Sequence, residues 1–192
     1  RRGPAFDQLQ KIEATKPDPA DWPTYRHDRG RSGSTTASVP AQLSTAWQAR
    51  LSGRLTSVVV ADGRLFVAET DRHTLHALDA ATGKEIWSYY TEAPVRFTPT
   101  VVGGKVIAGS DDGIVYCLRA SNGELAWKER IAPKDQRLPG NGRMISLWPI
   151  RTGVVVSNGV AYVTAGLFPS EASYVAALKV SSGDTIWKNT YK

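Results

Sequence analysis

Cysteine is almost missing from this sequence: Cys117 is the single thiol in 192 residues. One thiol excludes an intrachain disulfide framework, so cysteine usage says nothing about redox compartment. No apolar run approaches the ~18 residues that a helical membrane span requires, and none is expected. Residues 1–21 carry charges but no apolar stretch of the signal-peptide kind. The chain starts at Arg1 rather than Met, and the expectation is a polypeptide that is processed or cut from something longer. Charge of one sign is not concentrated either. The formal net charge is +6, the basic residues are scattered, and the densest cluster, RHDRGRSG (26–33), reads as a solvated turn. No specific nucleic-acid partner is expected. A Gly-rich phosphate loop, a Ser-His-Asp arrangement and a heme-attachment C-x-x-C-H are all missing.

What is present is repetition. The strings ALDAATGKEIW (77–87), CLRASNGELAW (117–127) and ALKVSSGDTIW (177–187) share one order of parts. Their glycines are Gly83, Gly123 and Gly183, and their tryptophans Trp87, Trp127 and Trp187. The tryptophan spacings are 40 and 60 residues, and Trp47 lies 40 before Trp87. Each unit holds an apolar stretch, a two-residue turn and a second apolar run (RLFVA, KVIAG or VAYVTA). A loop and a third run follow (TLHAL, IVYCL or YVAAL), then the Gly turn and a short Trp-bearing strand. The turns Asp62-Gly63, Gly103-Gly104 and Asn158-Gly159 suit hairpins, because both positions tolerate φ > 0. Four strands per ~40 residues, with nearly continuous apolar inner runs, suit sheets buried on both faces by like sheets. The expected fold is all-β, a radial array of four-stranded blades, or β-propeller. Ala77, Cys117 and Ala177 are then small because a sheet packs closely there, and each Trp docks on the adjacent blade.

ALDAATGKEIW matches in full the Ala-x-Asp-x-x-x-Gly-x-x-x-Trp frame of the PQQ-binding-like quinoprotein propellers, and the sequence resembles their tryptophan-docking repeats. Arg119 and Lys179 depart from the frame where Asp79 keeps it, as do Asn122 and Ser182 where Thr82 keeps it; Asn and Ser still bond to a turn backbone. DWPTYRHDRGRSGST (21–35) is similar to the family's lead-in segment. The resemblance implies a periplasmic or exported bacterial protein. It also implies two functional branches: PQQ-dependent alcohol and sugar dehydrogenases, and non-catalytic propellers such as outer-membrane protein assembly lipoproteins. The dehydrogenase branch implies PQQ, a calcium ion, a vicinal Cys-Cys ring and an Asp base. This chain has no Cys-Cys pair, so no cofactor is expected in it. Asp111-Asp112 reads as a turn, since one acidic pair is far from the six to eight oxygens that calcium takes.

Three units fall short of a ring. The expected blades are about 53–92, 93–132 and 150–192, within a propeller region of 22–192 that opens with a lead-in segment and outer strand (22–52). STAWQARL (44–51) reads as an outer strand whose three partners lie beyond residue 192, within a ring of seven or eight blades. The first expected partner is therefore the rest of the same propeller, and a second is another protein. Residues 1–21 are expected outside the propeller as a linker, with Phe6, Leu9 and Ile12 on one side of a short helix. The leading function is a non-catalytic binding or scaffolding domain; the alternative is a piece of a PQQ-dependent oxidoreductase.

Spacing locates a working face. About 15 extra residues precede the third blade (APKDQRLPGNGRMISLWPIRTG), and about five extend its middle loop (GLFPSEAS). In a four-stranded antiparallel blade both insertions emerge on the face opposite the Gly turns. Long loops on rigid scaffolds carry function. Arg137, Arg143, Trp148, Arg151 and Phe168 are therefore the candidate binding residues for an anionic or planar partner. The competing expectation is that Trp148 and Met144 plug the loop against the blade. His73 and His76, three apart on a strand, point to opposite faces and are not joint metal ligands. His27 stands alone, and Cys117 reads as a small core residue.

Overall fold

The structure is a computed structural model that describes residues 1–9, 18–140, 142–168 and 170–191. Three antiparallel sheets of four strands each follow one another along the chain. The first holds β1 (Val59–Ala61), β2 (Arg64–Glu69), β3 (Thr74–Asp79) and β4 (Glu85–Tyr90). The second holds β5 (Thr100–Val102), β6 (Lys105–Gly109), β7 (Ile114–Arg119) and β8 (Leu125–Arg130). A two-stranded hairpin, β9 (Arg137–Gly140) with β10 (Arg143–Ser146), occupies the long insertion. The third sheet holds β11 (Val155–Ser157), β12 (Val160–Ala165), β13 (Ser173–Lys179) and β14 (Thr185–Tyr191). This is the expected all-β, incomplete propeller, and the strands run in sequence order within each blade.

The hairpin turns have the geometry their residues permit. Asp62 and Gly63 sit at φ of 52° and 70°, and Asn158 and Gly159 at 50° and 74°. Consecutive left-handed residues twist a two-residue turn to match its strands. The small residues Ala77, Cys117 and Ala177 face Trp87, Trp127 and Trp187 across the outer strand pair, each followed by a register shift.

The tryptophans join blade to blade by one repeated device. Trp47 Nε1 donates to the Ala80 carbonyl at 3.0 Å, Trp87 to Ala120 at 2.9 Å and Trp127 to Val180 at 3.0 Å. The acceptor is always the residue three before the motif glycine, in the next blade. That glycine is also the seat of the ring. A Cβ on Gly123 would stand 2.7 Å from Trp87, and one on Gly183 2.6 Å from Trp127; Gly83 meets Trp47 in the same way. The glycines therefore do two things: they take φ of 71–76° in the turn, and they leave room for an indole. Between blades lie two apolar clusters. Phe66, Leu75 and Trp87 meet Val101, Val106 and Leu118, while Ile107, Val115 and Trp127 meet Ala161, Val163 and Leu178.

Two segments differ from expectation. Residues 1–9 are not a free linker. Gly3 donates to Ala126 O, and Lys128 N donates to Arg1 O, so the N-terminal residues run along β8. Helix α1 (Phe6–Leu9) then buries Phe6 and Leu9 in the cluster between the second and third blades. Ile12, expected on the same helix, lies outside the described residues. Residues 44–51, expected as an outer strand, belong to no sheet among the described residues. The lead-in segment crosses the inner strands of all three blades. Trp22 exchanges hydrogen bonds with Val60, Pro23 O accepts from Val101 N, and Arg29 Nη1 donates to Ser157 Oγ at 2.8 Å.

Candidate binding face

Alternating strand direction sorts the connections. The two-residue hairpin turns and the Gly turns emerge on one face. The middle loops (70–73, 110–113, 166–168 and 170–172) and the inter-blade links (91–99, 131–140 and 142–154) emerge on the other. On the second face, hydrogen bonds join middle loops to links: Thr70 Oγ1 donates to Val95 O, Asp111 N to Pro94 O and Gly166 N to Pro149 O.

Asp111 organises its centre. The carboxylate is fully buried, at 0% exposure. It accepts from Arg96 Nε at 2.6 Å and from Arg151 Nε and Nη2 at 3.3 Å each. Burying a carboxylate is costly unless it is paired, and two guanidiniums supply the pairing. The backbone fixes the same loop: Asp111 N donates to Pro94 O, Ser146 N to Asp111 O and Ile150 N to Ser110 O. Asp112 turns the other way. It accepts from Ile114 N at 2.9 Å and from Tyr116 Oη at 2.6 Å, and burial raises its pKa above the ordinary carboxylate value. The acidic pair is thus spent on loop geometry.

Arg143, at the start of β10, reaches the first blade. Its Nη2 donates to Asp71 Oδ1 at 2.9 Å, and Nη1 to Thr70 O at 3.4 Å. Hydrogen bonds from Arg54 N and Arg143 hold the Asp71 carboxyl below its usual range. His73 closes the same loop; burial, then the charges of Arg143 and Arg96, lower its pKa and favour the neutral imidazole. Around this mouth three guanidiniums (Arg96, Arg143 and Arg151) face two carboxylates (Asp71 and Asp111). One positive charge is left over, on side chains that carboxylates already hold in place.

Arg143 and Arg151 each hold a carboxylate of a middle loop, Asp71 in the first blade and Asp111 in the second. Arg137 sits further out, between Glu92 at 2.5 Å and Asp135 at 2.9 Å. Phe168 is half-buried in the third blade's middle loop, its carbonyl accepting from Glu171 N. Trp148 is not an exposed stacking platform: at 5% exposure it lies in the cluster between the second and third blades, edge-on to Tyr174. The plug is Trp148 alone, because Met144 is 52% exposed. Sequence reading missed Arg96, Asp111 and His73 as members of this face. The signal available was topological, since residues 91–99 form the same kind of link as 131–154.

His76 faces two carboxylates, Glu85 at 2.6 Å and Glu69 at 3.2 Å, and does not converge with His73. Cys117 is buried, and burial pushes its thiol up to about 12, away from any nucleophile. The chemistry that PQQ and calcium would need does not fit these residues. The lone thiol is sealed in the core. Among the described residues no group of three or more His, Cys, Asp or Glu could hold a metal ion.

The likeness to known proteins follows the repeat. A family model described as outer membrane protein assembly factor BamB matches residues 30–192. BamB of Moranella endobia is 30% identical over 150 residues, 75% of this chain and 36% of that protein. The dehydrogenase subunit of the quinone alcohol dehydrogenase of Gluconobacter oxydans is 29% identical over 197 residues, 88% of this chain and 24% of that protein. The solved quinohemoprotein alcohol dehydrogenase ADHIIG of Pseudomonas putida superposes on 99% of this chain with a TM-score of 0.74 at 21% identity, and covers it with 28% of its own length. That likeness concerns the fold alone. The chain spans about a third or less of each of these relatives. With the family match running from the lead-in segment through all three blades, the chain belongs to the outer membrane protein assembly factor BamB family of β-propellers.

Proposed function

We propose that this chain is part of a non-catalytic β-propeller that binds another protein through its loop face. The observation that carries the reading is the rigid cationic mouth: Arg96 and Arg151 on buried Asp111, with Arg143 on Asp71. Such a surface suits a carboxylate-bearing segment of a partner, since a guanidinium presents paired donors to a carboxylate. Arg137 and Phe168 extend the same face. Relatives named as assembly factors support a protein partner over a small molecule. The test places a photo-cross-linking amino acid at Phe168 of the full-length protein in its own cell, and at Thr82 on the Gly-turn face as control. A discrete polypeptide adduct from position 168 and none from 82 supports the reading; adducts from 82 alone would overturn it.

A second reading, a piece of a PQQ-dependent oxidoreductase, is favoured by the alignment to the Gluconobacter oxydans dehydrogenase subunit over most of this chain. Equilibrium dialysis of the full-length protein with PQQ and calcium separates the two. Stoichiometric binding promotes the oxidoreductase, and its absence favours the scaffold.

A further inference from the structure

The lead-in segment follows the inner strands and then leaves them. Trp22 exchanges hydrogen bonds with Val60 of β1, Pro23 O accepts from Val101 N of β5, and the Thr24 and Thr100 hydroxyls meet at 3.0 Å. Contact resumes at Arg29, whose Nη1 donates to Ser157 Oγ of β11 at 2.8 Å. The detour runs through Arg26, His27 and Arg31, all in the left-handed region at φ of 58°, 77° and 56°. Three non-glycine residues there within six positions are uncommon. Asp28 N and Gly33 N both donate to Arg26 O, and Ser32 N donates to the Asp28 carboxylate, which fixes the turn. Between the turn and strands β5 and β11 lies a cleft of about 600 Å³, a size that suits a small molecule. Its floor is apolar, formed by Val101 and Val102 of β5 and Val155 and Val156 of β11. Its wall is the RHDRGRSG cluster, read from sequence as a solvated turn. Arg31 lies over the Tyr25 ring, with Cζ 5.4 Å from the centroid, and Arg29 spends one N–H on Ser157. A guanidinium has five N–H donors. Among the described residues no carboxylate stands within ion-pair distance of either arginine; the segment's ion-pair contact is His27 with Asp28, at 3.6 Å. The carboxylates that line the cleft are engaged locally. Asp18 accepts from Ala20 N, Asp28 from Ser32, and Asp21 from the backbone at Asp18 and Asp62.

We infer that this cleft binds a small carboxylate with an apolar body, the carboxylate on Arg31 and Arg29 and the body on the valine floor. Unpaired guanidinium donors fit a carboxylate in a paired geometry. Val102, Val155 and Val156 are only half-buried, and an apolar body would remove their remaining surface from water. The charge balance narrows the ligand further. Residues 18–36 hold three aspartates and three arginines, so the segment has no net charge. Attraction is then local to the two guanidiniums, which favours a single carboxylate over a polyanion. This site goes beyond the proposed protein-binding role and does not depend on it, because Arg96, Arg143 and Arg151 of the loop face do not line the cleft.

The test is equilibrium dialysis of the full-length protein against 2-naphthoate and, separately, against the neutral 2-naphthamide. The inference expects saturable one-to-one binding of 2-naphthoate and binding of the amide about tenfold weaker, since the amide cannot accept charge-assisted hydrogen bonds as a carboxylate does. Arg31→Gln should weaken 2-naphthoate about tenfold and leave the amide as it was. Arg50→Gln, an exposed arginine outside the cleft, should change neither. Absence of saturable 2-naphthoate binding overturns the inference, as it would if other parts of the protein fill the cleft. Equal affinity for acid and amide also overturns it, as does an Arg31→Gln variant that binds 2-naphthoate as before or loses no more than Arg50→Gln.

Discussion

The second and third blades are built from one repeat and meet different surroundings. In the second, every residue of β6 is buried, down to the aliphatic stem of Lys105. In the third, β12 alternates between buried and partly exposed positions, and β14 is exposed throughout. The sequences do not differ in this way: KVIAG and VAYVTA are both apolar almost without a break. Apolar continuity therefore records a strand designed for two neighbours, and the burial pattern records how many it has. The same comparison divides Trp127 from Trp187.

Removing each indole should sharpen that contrast most. Trp127→Ala deletes a buried ring, its hydrogen bond to Val180 and its contact with Gly183, and is expected to cost about 3–5 kcal/mol in denaturant unfolding. Trp187→Ala in this chain should cost less than about 1 kcal/mol, as an uncovered side chain does. Comparable losses would break the comparison.

Substituting glycines gives the next effect. Gly183→Ala meets both a left-handed φ of 76° and the Trp127 ring. Gly159→Ala meets φ of 74° with open space around it. The second should cost about 1 kcal/mol. The first should cost roughly twice that or more, and the difference measures the seat rather than the turn.

On the loop face, Arg151→Ala removes one of two cations from a fully buried carboxylate, and about 1–3 kcal/mol is expected. Arg137→Ala acts on partners that are about half exposed, and should change unfolding by about 0–1 kcal/mol. Equal effects would mean that Asp111 does not organise this face.

Smallest is a pH effect. The raised pKa of buried Asp112 means that the folded state keeps a proton which the unfolded chain has released. Its contribution is fully present below the unfolded value of 3.8 and is lost as pH rises through the folded value. Glu92, whose pKa is lowered first by its Arg137 hydrogen bond, acts in the opposite sense: its contribution is present above the unfolded value and is lost as pH falls through the folded one. Asp112→Asn should remove the first slope and leave the second in an unfolding series from pH 3 to 6.

The blades were legible because a repeat states its own period. Trp87, Gly123 and the hairpin pairs recur at fixed offsets, and each offset has a backbone or packing cause. What the glycines do for the preceding blade was not legible. Gly83 supplies a turn in any reading, and only the packed sheets reveal Trp47 against it. The arginine mouth was half legible. Loop length pointed to Arg143 and Arg151, but Arg96 and Asp111 are 15 residues apart in two unremarkable connections. Ion pairs between separate loops leave no period behind. Residues 1–9 were misplaced for a related reason: Gly3 and Phe6 dock on β8 by tertiary contact, in a segment that carries no repeat.

Hydrogen exchange of the indole N–H groups in this chain tests the docking device directly. Its premise is that each indole is held by a carbonyl of the following blade. Trp87 and Trp127 should exchange slowest, Trp47 at an intermediate rate because its bond is only part-buried, and Trp187 fastest. Exchange of Trp187 as slow as that of Trp127, or of Trp87 and Trp127 as fast as that of Trp187, would contradict it.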